Sequence, residues 1–390
     1  MHIADLFEPV NLSVFETKEF LQHDSLRQHI KIFSEKNNFP SDVDVDIVII
    51  GVNEYRGSAF KSKQQHAADA VRKKLYALKK HYTFCRIADI GNFIPGHTID
   101  DTYFALASVL TELVQKNIFP VIIGGSQDLT YAHYRAYENL EQVINITGID
   151  SRFDLGGPDD AMRSDTWLGK IVLKQPNYLF NYSNIGHQTY FVGQEQVELM
   201  EHLFFDTYRL GQVRTDFTEV EPILRGADIL TFDMSCIRSG DSPANFNPSP
   251  NGFNGEEACQ VMMYAGASDK LSGMGIYEFD FSKDKNEQTA SLIAQMVWYF
   301  VEGFTNRKKD MPIQSAQGFT VYRVPISGNK QEIIFLKSKQ TERWWMELPS
   351  DKSKNRLIRH SFLPCSYKDY EQACNNEVPD RWWQALQKMT

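Results

Sequence analysis

The sequence predicts an α/β protein built on a mostly parallel sheet with helices on both faces. Three observations carry that expectation. From about residue 45, short β-branched runs alternate with longer helical patterns. The runs are apolar nearly throughout and do not alternate with polar residues, as strands buried on both faces do. Three of them also end in glycine-rich or acidic clusters, where ligands bind in open parallel sheets.

The elements follow in order. Asp46 to Gly51 reads as a strand and leads through a loop into a helical stretch, Ala67 to Lys80. An amphipathic segment, Thr102 to Lys116, precedes the second run, Pro120 to Gly125. Val143 to Asp150 and Asp228 to Asp233 complete the set. Periodicity alone does not separate such runs from short buried helices. Beyond their carboxyl ends stand Gly124-Gly125-Ser126-Gln127-Asp128, Asp150 to Asp154, and Asp233 to Ser235. Gly252 to Gly255 with Glu256 and Glu257 reads as cap and turn chemistry opening a later helix.

The expected organisation is an N-terminal extension over 1–44, an α/β domain over 45–310 and a C-terminal extension over 311–390. In the last part, Thr320 to Val324 and Glu332 to Leu336 flank Gly328-Asn329 as a hairpin, and a short helix is expected near Asp380 to Lys388. Two tryptophan pairs, Trp344-Trp345 and Trp382-Trp383, either pack back on the main domain or anchor a protein partner.

With 390 residues and 42% hydrophobic content, the chain can bury a large core. Its net charge of -9 offers no basic field for a phosphate backbone, so nucleic acid is excluded as the main partner. The start, Met1 to Glu8, lacks a basic segment followed by an apolar one, and no stretch approaches a membrane span, so a cytoplasmic protein is expected. Five scattered cysteines without CxxC spacing argue for reduced thiols over a disulfide framework or zinc site.

Several motifs in one order resemble the ureohydrolases of the arginase family, and formimidoylglutamase in particular. These are Gly124-Gly125-x-x-Asp128 after a strand, Asp150-x-x-x-Asp154, Phe232-Asp233-Met234, and Tyr277-Glu278-Phe279-Asp280. Ala68 to Leu75 and Asn286 to Leu292 add to the resemblance, which spans about residues 45 to 305. It implies a three-layer αβα sandwich, commonly assembled into homo-oligomers. In active members of the family, two Mn2+ ions held by imidazoles and carboxylates make a nucleophile at neutral pH.

Matched motif to motif, this chain departs from that ligand set at three of six positions. Gln127 stands where the family has a histidine, Arg152 where it has a second histidine, and Ser235 where it has an aspartate. Asp150, Asp154 and Asp233 remain, with Gln127 as a weak amide donor, and that set suits a single Mg2+ or Mn2+. Arg152 cannot ligate a metal, because guanidinium has no lone pair to give. It is therefore expected to replace the ions electrostatically, forking onto Asp150 or Asp233 and onto Glu278. Each contact at about 4 Å would be worth on the order of 4 kcal/mol before desolvation at an effective dielectric near 20. The alternative is that Arg152 swings to solvent and one metal stays.

Other candidates carry blander readings. The stretch Gly156 to Gly169 has no histidine to shuttle protons, and Asp159, Asp160 and Asp165 read as a solvated acidic loop. His187 and His133 read as structural. Glu278 resembles the family's substrate-gripping carboxylate and is equally explained by an internal arginine partner. Asp241 to Asn245 resembles the loop lining the family's substrate mouth, with a different residue order.

The functional expectation is a pseudoenzyme, a binding or assembly protein with no cofactor. The first alternative is a formimidoylglutamase-like hydrolase of linear amidines with one metal. A second is a hydrolase that uses Asp150 or Asp154 directly.

Overall fold

The apolar runs are strands of one ten-stranded sheet. The computed structural model describes residues 3–14, 22–40, 44–60, 67–81, 85–312, 317–326, 332–349 and 359–389. In chain order the strands are β1 (Phe7–Glu8), β2 (Ile30–Ile32), β3 (Ile47–Val52), β4 (Ile87–Phe93) and β5 (Phe119–Ile123). There follow β6 (Ile144–Ile149), β7 (Leu179–His187), β8 (Asp206–Arg209), β9 (Ile229–Asp233) and β10 (Gly273–Tyr277). Their spatial order is β1-β4-β3-β5-β10-β9-β6-β7-β8, with β2 also paired to β4. Only the β1 pairing is antiparallel.

Helices cover both faces, as the continuous apolar strands require. They are α1 (Ala67–Ala77), α2 (Ile99–Gln115), α3 (Thr130–Asn139), α4 (Trp167–Val172), α5 (Gln194–His202), α6 (Leu210–Thr215), α7 (Val220–Arg225), α8 (Gly255–Gly266) and α9 (Gln288–Thr305). The period of two along β3 sorts its side chains between the layers. Ile47 and Ile49 join a core with Val71 and Leu75 of α1 and Ile293, Met296 and Phe300 of α9. Val48, Ile50 and Val52 join the opposite core, with Leu106 and Leu110 of α2, Tyr137 of α3 and Trp167 of α4. Each such aliphatic side chain contributes about 1.5–3 kcal/mol by leaving water, so β3 stabilises two layers at once.

Local signals set the helix starts. Thr98 caps α2 with a reciprocal bond to Asp101, and Asn254 caps α8 with Glu257 in the same way, as the Gly252 to Glu257 stretch predicts. A buried ion pair ties α1 to the sheet: the Arg72 guanidinium grips both oxygens of Asp89 on β4 at 2.8 and 2.9 Å, and Tyr76 donates to the same carboxylate at 2.8 Å. Breaking such a pair costs about 3–5 kcal/mol, because one charge is left buried alone.

Residues before 45 are joined to the main sheet through β1 and β2, which both pair with β4. The C-terminal part is richer than a hairpin and one helix. It holds β11 (Phe319–Pro325), β12 (Glu332–Ser338), β13 (Trp344–Glu347) and β14 (Phe362–Cys365) in a second, antiparallel sheet, followed by α10 (Tyr367–Cys374) and α11 (Asp380–Met389). The expected hairpin is the β11–β12 pair, and its tip at Gly328-Asn329 lies outside the described residues.

Arg225, at the end of α7, clamps this small sheet to the core. It donates to the carbonyls of Trp344 at 3.0 Å and Cys365 at 3.1 Å, and its guanidinium lies 4.4 Å from the Trp345 ring centre. Trp344, Trp345 and Trp382 are buried, whereas Trp383 is half exposed. Cys85, Cys236, Cys259, Cys365 and Cys374 are all free thiols. No helix among the described residues is long and apolar enough to cross a membrane.

His133, on α3, is fully buried in this core. Its ring packs so tightly on the first residue of β10 that a Cβ at Gly273 would lie 2.2 Å from Nε2. Neither ring nitrogen has a hydrogen-bond partner, and burial pushes its pKa down to about 3. The unfolded chain, with an imidazole near 6.5, takes up a proton first. The stability linked to this residue is therefore full above pH 6.5 and is lost as pH falls toward 3, by up to about 4 kcal/mol. His133→Phe is expected to flatten the pH dependence of urea unfolding across that window by about one proton, which denaturation at pH 7 and pH 4.5 will measure.

Candidate functional site

Four strand ends build an acidic cavity of about 390 Å3. After β5, Gly124 and Gly125 take positive φ values of 94° and 79°, and a Cβ at Gly125 would meet Leu129 at 2.3 Å. Only glycine makes that turn freely, and it delivers Gln127 to the cavity. The ends of β6, β9 and β10 bring Arg152 and Asp154, Asp233 and Ser235, and Glu278 to the same cavity wall, with Asp150 buried just behind it beside Asp154 and Asp233. Asp154 and Glu278 sit on left-handed backbone, φ 50° and 63°. Such strain costs about 1–3 kcal/mol per residue and collects at functional sites.

The four carboxylates are held alike. Asp150 accepts from the Arg152 backbone N–H at 2.8 Å, Asp233 from the Ser235 N–H at 2.6 Å, Glu278 from the Gln127 N–H at 2.8 Å, and Asp154 from the Trp167 indole at 3.2 Å. One oxygen of each is thereby fixed. The other Asp150 oxygen, Oδ2, is buried and makes no well-formed hydrogen bond among the described residues, although Asp154 and Gln127 stand close to this carboxyl group. Burial and the neighbouring acids push Asp154 and Asp233 up to about 8 and hold Asp150 and Glu278 well above the usual carboxylate range.

The expected arginine counter-charge is not in place. The Arg152 guanidinium lies 4.1 Å from the Phe191 ring centre, with Nη1 3.4 Å from the Phe191 carbonyl, and among the described residues it forms no ion pair. It lines the cavity and draws the Asp233 pKa down from a distance, without offsetting the burial and the Asp150 charge that raise it. The physical reason is a stable alternative for the cation: an aromatic face and a carbonyl beyond the end of β7. Gln127 also departs from its expected part as an oxygen ligand. Its amide N–H donates to Thr231 at 3.3 Å and faces Asp150, so it acts as a donor.

Among the described residues no three His, Cys, Asp or Glu side chains already form a metal cage. The donor chemistry still divides the two ion positions. Asp150, Asp154 and Asp233 suit one hard divalent cation, and the unpartnered Asp150 Oδ2 is the observation in its favour. For a second ion the remaining lining offers the Ser235 hydroxyl and the cationic Arg152, which has no lone pair to give.

Sequence reasoning missed several lining residues. Phe60 and Phe246 stack with ring centres 6.3 Å apart and planes 1° from parallel, and Asn247 and Ser164 stand with them at the cavity wall. Phe246 and Asn247 directly follow the Asp241 to Asn245 loop, which was the available signal; Phe60 had none. Asp165 lines the cavity but pairs with Arg163 at 2.9 Å, and Asp160 caps the Gly157 N–H at 2.6 Å. Asp159 is exposed. No histidine is among the lining residues that are described. His187 packs on Phe153, ring centres 4.9 Å apart, outside the cavity lining.

The sheet order, the glycine turn and the acidic strand ends coincide with a known family, whose sequence profile matches residues 45–302. The chain belongs to the arginase family. Within it, a formimidoylglutamase of Lysinibacillus sphaericus is 25% identical over 226 residues, 55% of this chain and 69% of the relative. Another, from Streptococcus gordonii, is 22% identical over 282 residues, 66% of this chain and 84% of the relative. The fold matches that of a Trypanosoma cruzi formiminoglutamase solved with Mn2+, at a TM-score of 0.63 and 20% identity over 69% of this chain and 97% of that one. A Bacillus subtilis formimidoylglutamase superposes at 0.62 with 15% identity, covering 68% and 89%. The three-layer arginase fold is thereby shown, with the C-terminal sheet added to it.

Four crowded carboxylates without an ion-paired cation oppose folding. Replacing one should therefore stabilise the chelator-treated protein. Asp154→Asn is expected to raise its unfolding free energy by about 1–3 kcal/mol at neutral pH, read by urea denaturation, and a drop would contradict the repulsion described here.

Proposed function

We propose that this arginase-family protein binds an amidinium or guanidinium compound in the acidic cavity and lacks the two-manganese hydrolase centre. Arg152 carries the reading: a permanent cation lines the cavity on the side where a second ion would need a lone-pair donor. Glu278, buried and fixed by the Gln127 N–H, presents a carboxylate edge for a planar cationic ligand. The stacked Phe60 and Phe246 rings offer it an apolar wall. Among the described residues no imidazole lines the cavity, so proton transfer there would fall to its carboxyl groups.

A second reading has its own support. The unpartnered Asp150 Oδ2, with Asp154 and Asp233 beside it, favours a single divalent ion and hydrolysis of linear amidines, as the likeness to proteins named formimidoylglutamase suggests. Such an ion would supply Lewis-acid polarisation, while Glu278 would orient the amidine and Arg152 would repel its charged end from one side.

One set of measurements separates the two. With formiminoglutamate, agmatine or arginine and added Mn2+, turnover is expected below about 0.01 per second, against an ordinary range of about 1–1,000 per second. Agmatine should still bind by calorimetry, and Glu278→Gln should abolish that binding. Turnover in the ordinary range, with about one equivalent of Mn2+ that Asp154→Ala releases, would establish the second reading instead.

A further inference from the structure

The other end of the same strands carries a second cavity, of about 410 Å3, within the range of small-molecule sites. It opens where β5 and β10 begin and reaches Gln142 ahead of β6. The acidic cavity stands at the opposite ends of these strands, so about 17 Å of sheet lies between the two for a strand of five residues. Their charges are opposite. Among the described residues Lys270, Arg307 and Arg359 line the second cavity, with Asp269 as the one lining carboxylate.

Asp228, fully buried behind the lining, partly offsets this charge. It holds Lys270 Nζ at 3.3 Å and Arg359 Nη2 at 2.9 Å, so these two cations share one counter-ion. Arg307 has no carboxylate partner among the described residues. Its Nε and Nη2 donate to the carbonyls of Gly266 at 2.8 Å and Leu271 at 3.0 Å, and its guanidinium lies 4.1 Å from the centre of the Phe304 ring. Burial without a paired anion pulls its pKa down to about 10, the mark of a cation lacking compensation. Among the described residues three positive groups thus face two negative ones, in a chain whose overall charge is -9.

We propose that this cavity binds a small oxyanion, a phosphate or carboxylate group seated between Arg307 and Arg359. Arginine suits planar or tetrahedral oxyanions because its donors form a fixed fork. Ser272, whose hydroxyl pairs with Tyr137 at 2.6 Å, adds a neutral polar group to the wall. Asp269 Oδ1, buried and without a hydrogen-bond partner, can accept from a hydroxyl or a protonated phosphate oxygen on the same ligand. Nothing in this placement depends on whether the acidic cavity at the far end is catalytic.

Titration of the full chain with inorganic phosphate or citrate, against sodium chloride at matched ionic strength, tests the site by calorimetry. Saturable binding of at least one anion is expected, and which one binds tells phosphate from carboxylate. Arg359→Gln should weaken it about tenfold, and Arg307→Gln at least as much. Should Arg307→Gln fail to fold, since it also caps the end of α8, Arg359→Gln decides alone. Arg152→Gln, in the far cavity, should bind the anion as the parent does. Absence of saturable binding, binding unchanged in Arg359→Gln, or binding lost in Arg152→Gln would each overturn the proposal.

Discussion

A parallel sheet covered by helices on both faces meets solvent only at the two ends of its strands, and this constraint organises the molecule. Side chains along β3, β5, β6, β9 and β10 are committed to the two cores. Polar chemistry is left to the residues just before and just after each strand. Here the ends after the strands gather acids and the ends before them gather bases. The helices serve as walls that keep the two sets apart and dry, where charge counts for more than it does in water.

Within the acidic end, the fixed hydrogen bonds and the free arginine work against each other. Each carboxylate accepts one N–H, which orients it but supplies no full positive charge. Arg152 supplies one, yet spends it on the Phe191 face. Among the described residues the cavity is consequently short of positive charge, and that shortage is the ground on which a cationic ligand or a single metal ion is proposed there. The fold alone would not decide between these, since members of a fold share architecture more readily than chemistry.

Much of the fold was legible because it rests on local patterns. The strands at 47–52, 119–123, 144–149 and 229–233 are uninterrupted apolar runs and fall within a residue or two of their expected places. Four strands were harder to see for definite reasons. β4 carries Asp89 and Asn92, which look like loop residues until Arg72 is known to neutralise and bond them. β7 is crowded with Asn181, Ser183 and Asn184, β8 is half exposed, and β10 holds two glycines that make room for neighbouring rings. The positions of Gln127, Asp150, Asp154, Asp233, Ser235 and Glu278 followed from motif order. The direction of the Arg152 side chain did not, because the ring that holds it is Phe191, 39 residues away. Nor did the stacking of Phe60 on Phe246, which depends on two loops meeting in space.

Arg225 has a bearing on how this chain relates to shorter arginase-family proteins. A single guanidinium closes the carbonyls of β13 and β14 and carries an indole on its face, so the added sheet is grafted onto a charge rooted in the common core. Trimming the chain after α9 would strip that ion of its two carbonyl acceptors, leaving it Glu221 on its own helix, and would uncover the flank of α7. The appendage is thus no detachable cargo: Arg343 to Glu221, Arg359 to Asp228 and Arg381 to Glu219 pair across the same seam, so shedding it would leave bare charge at several places on the core.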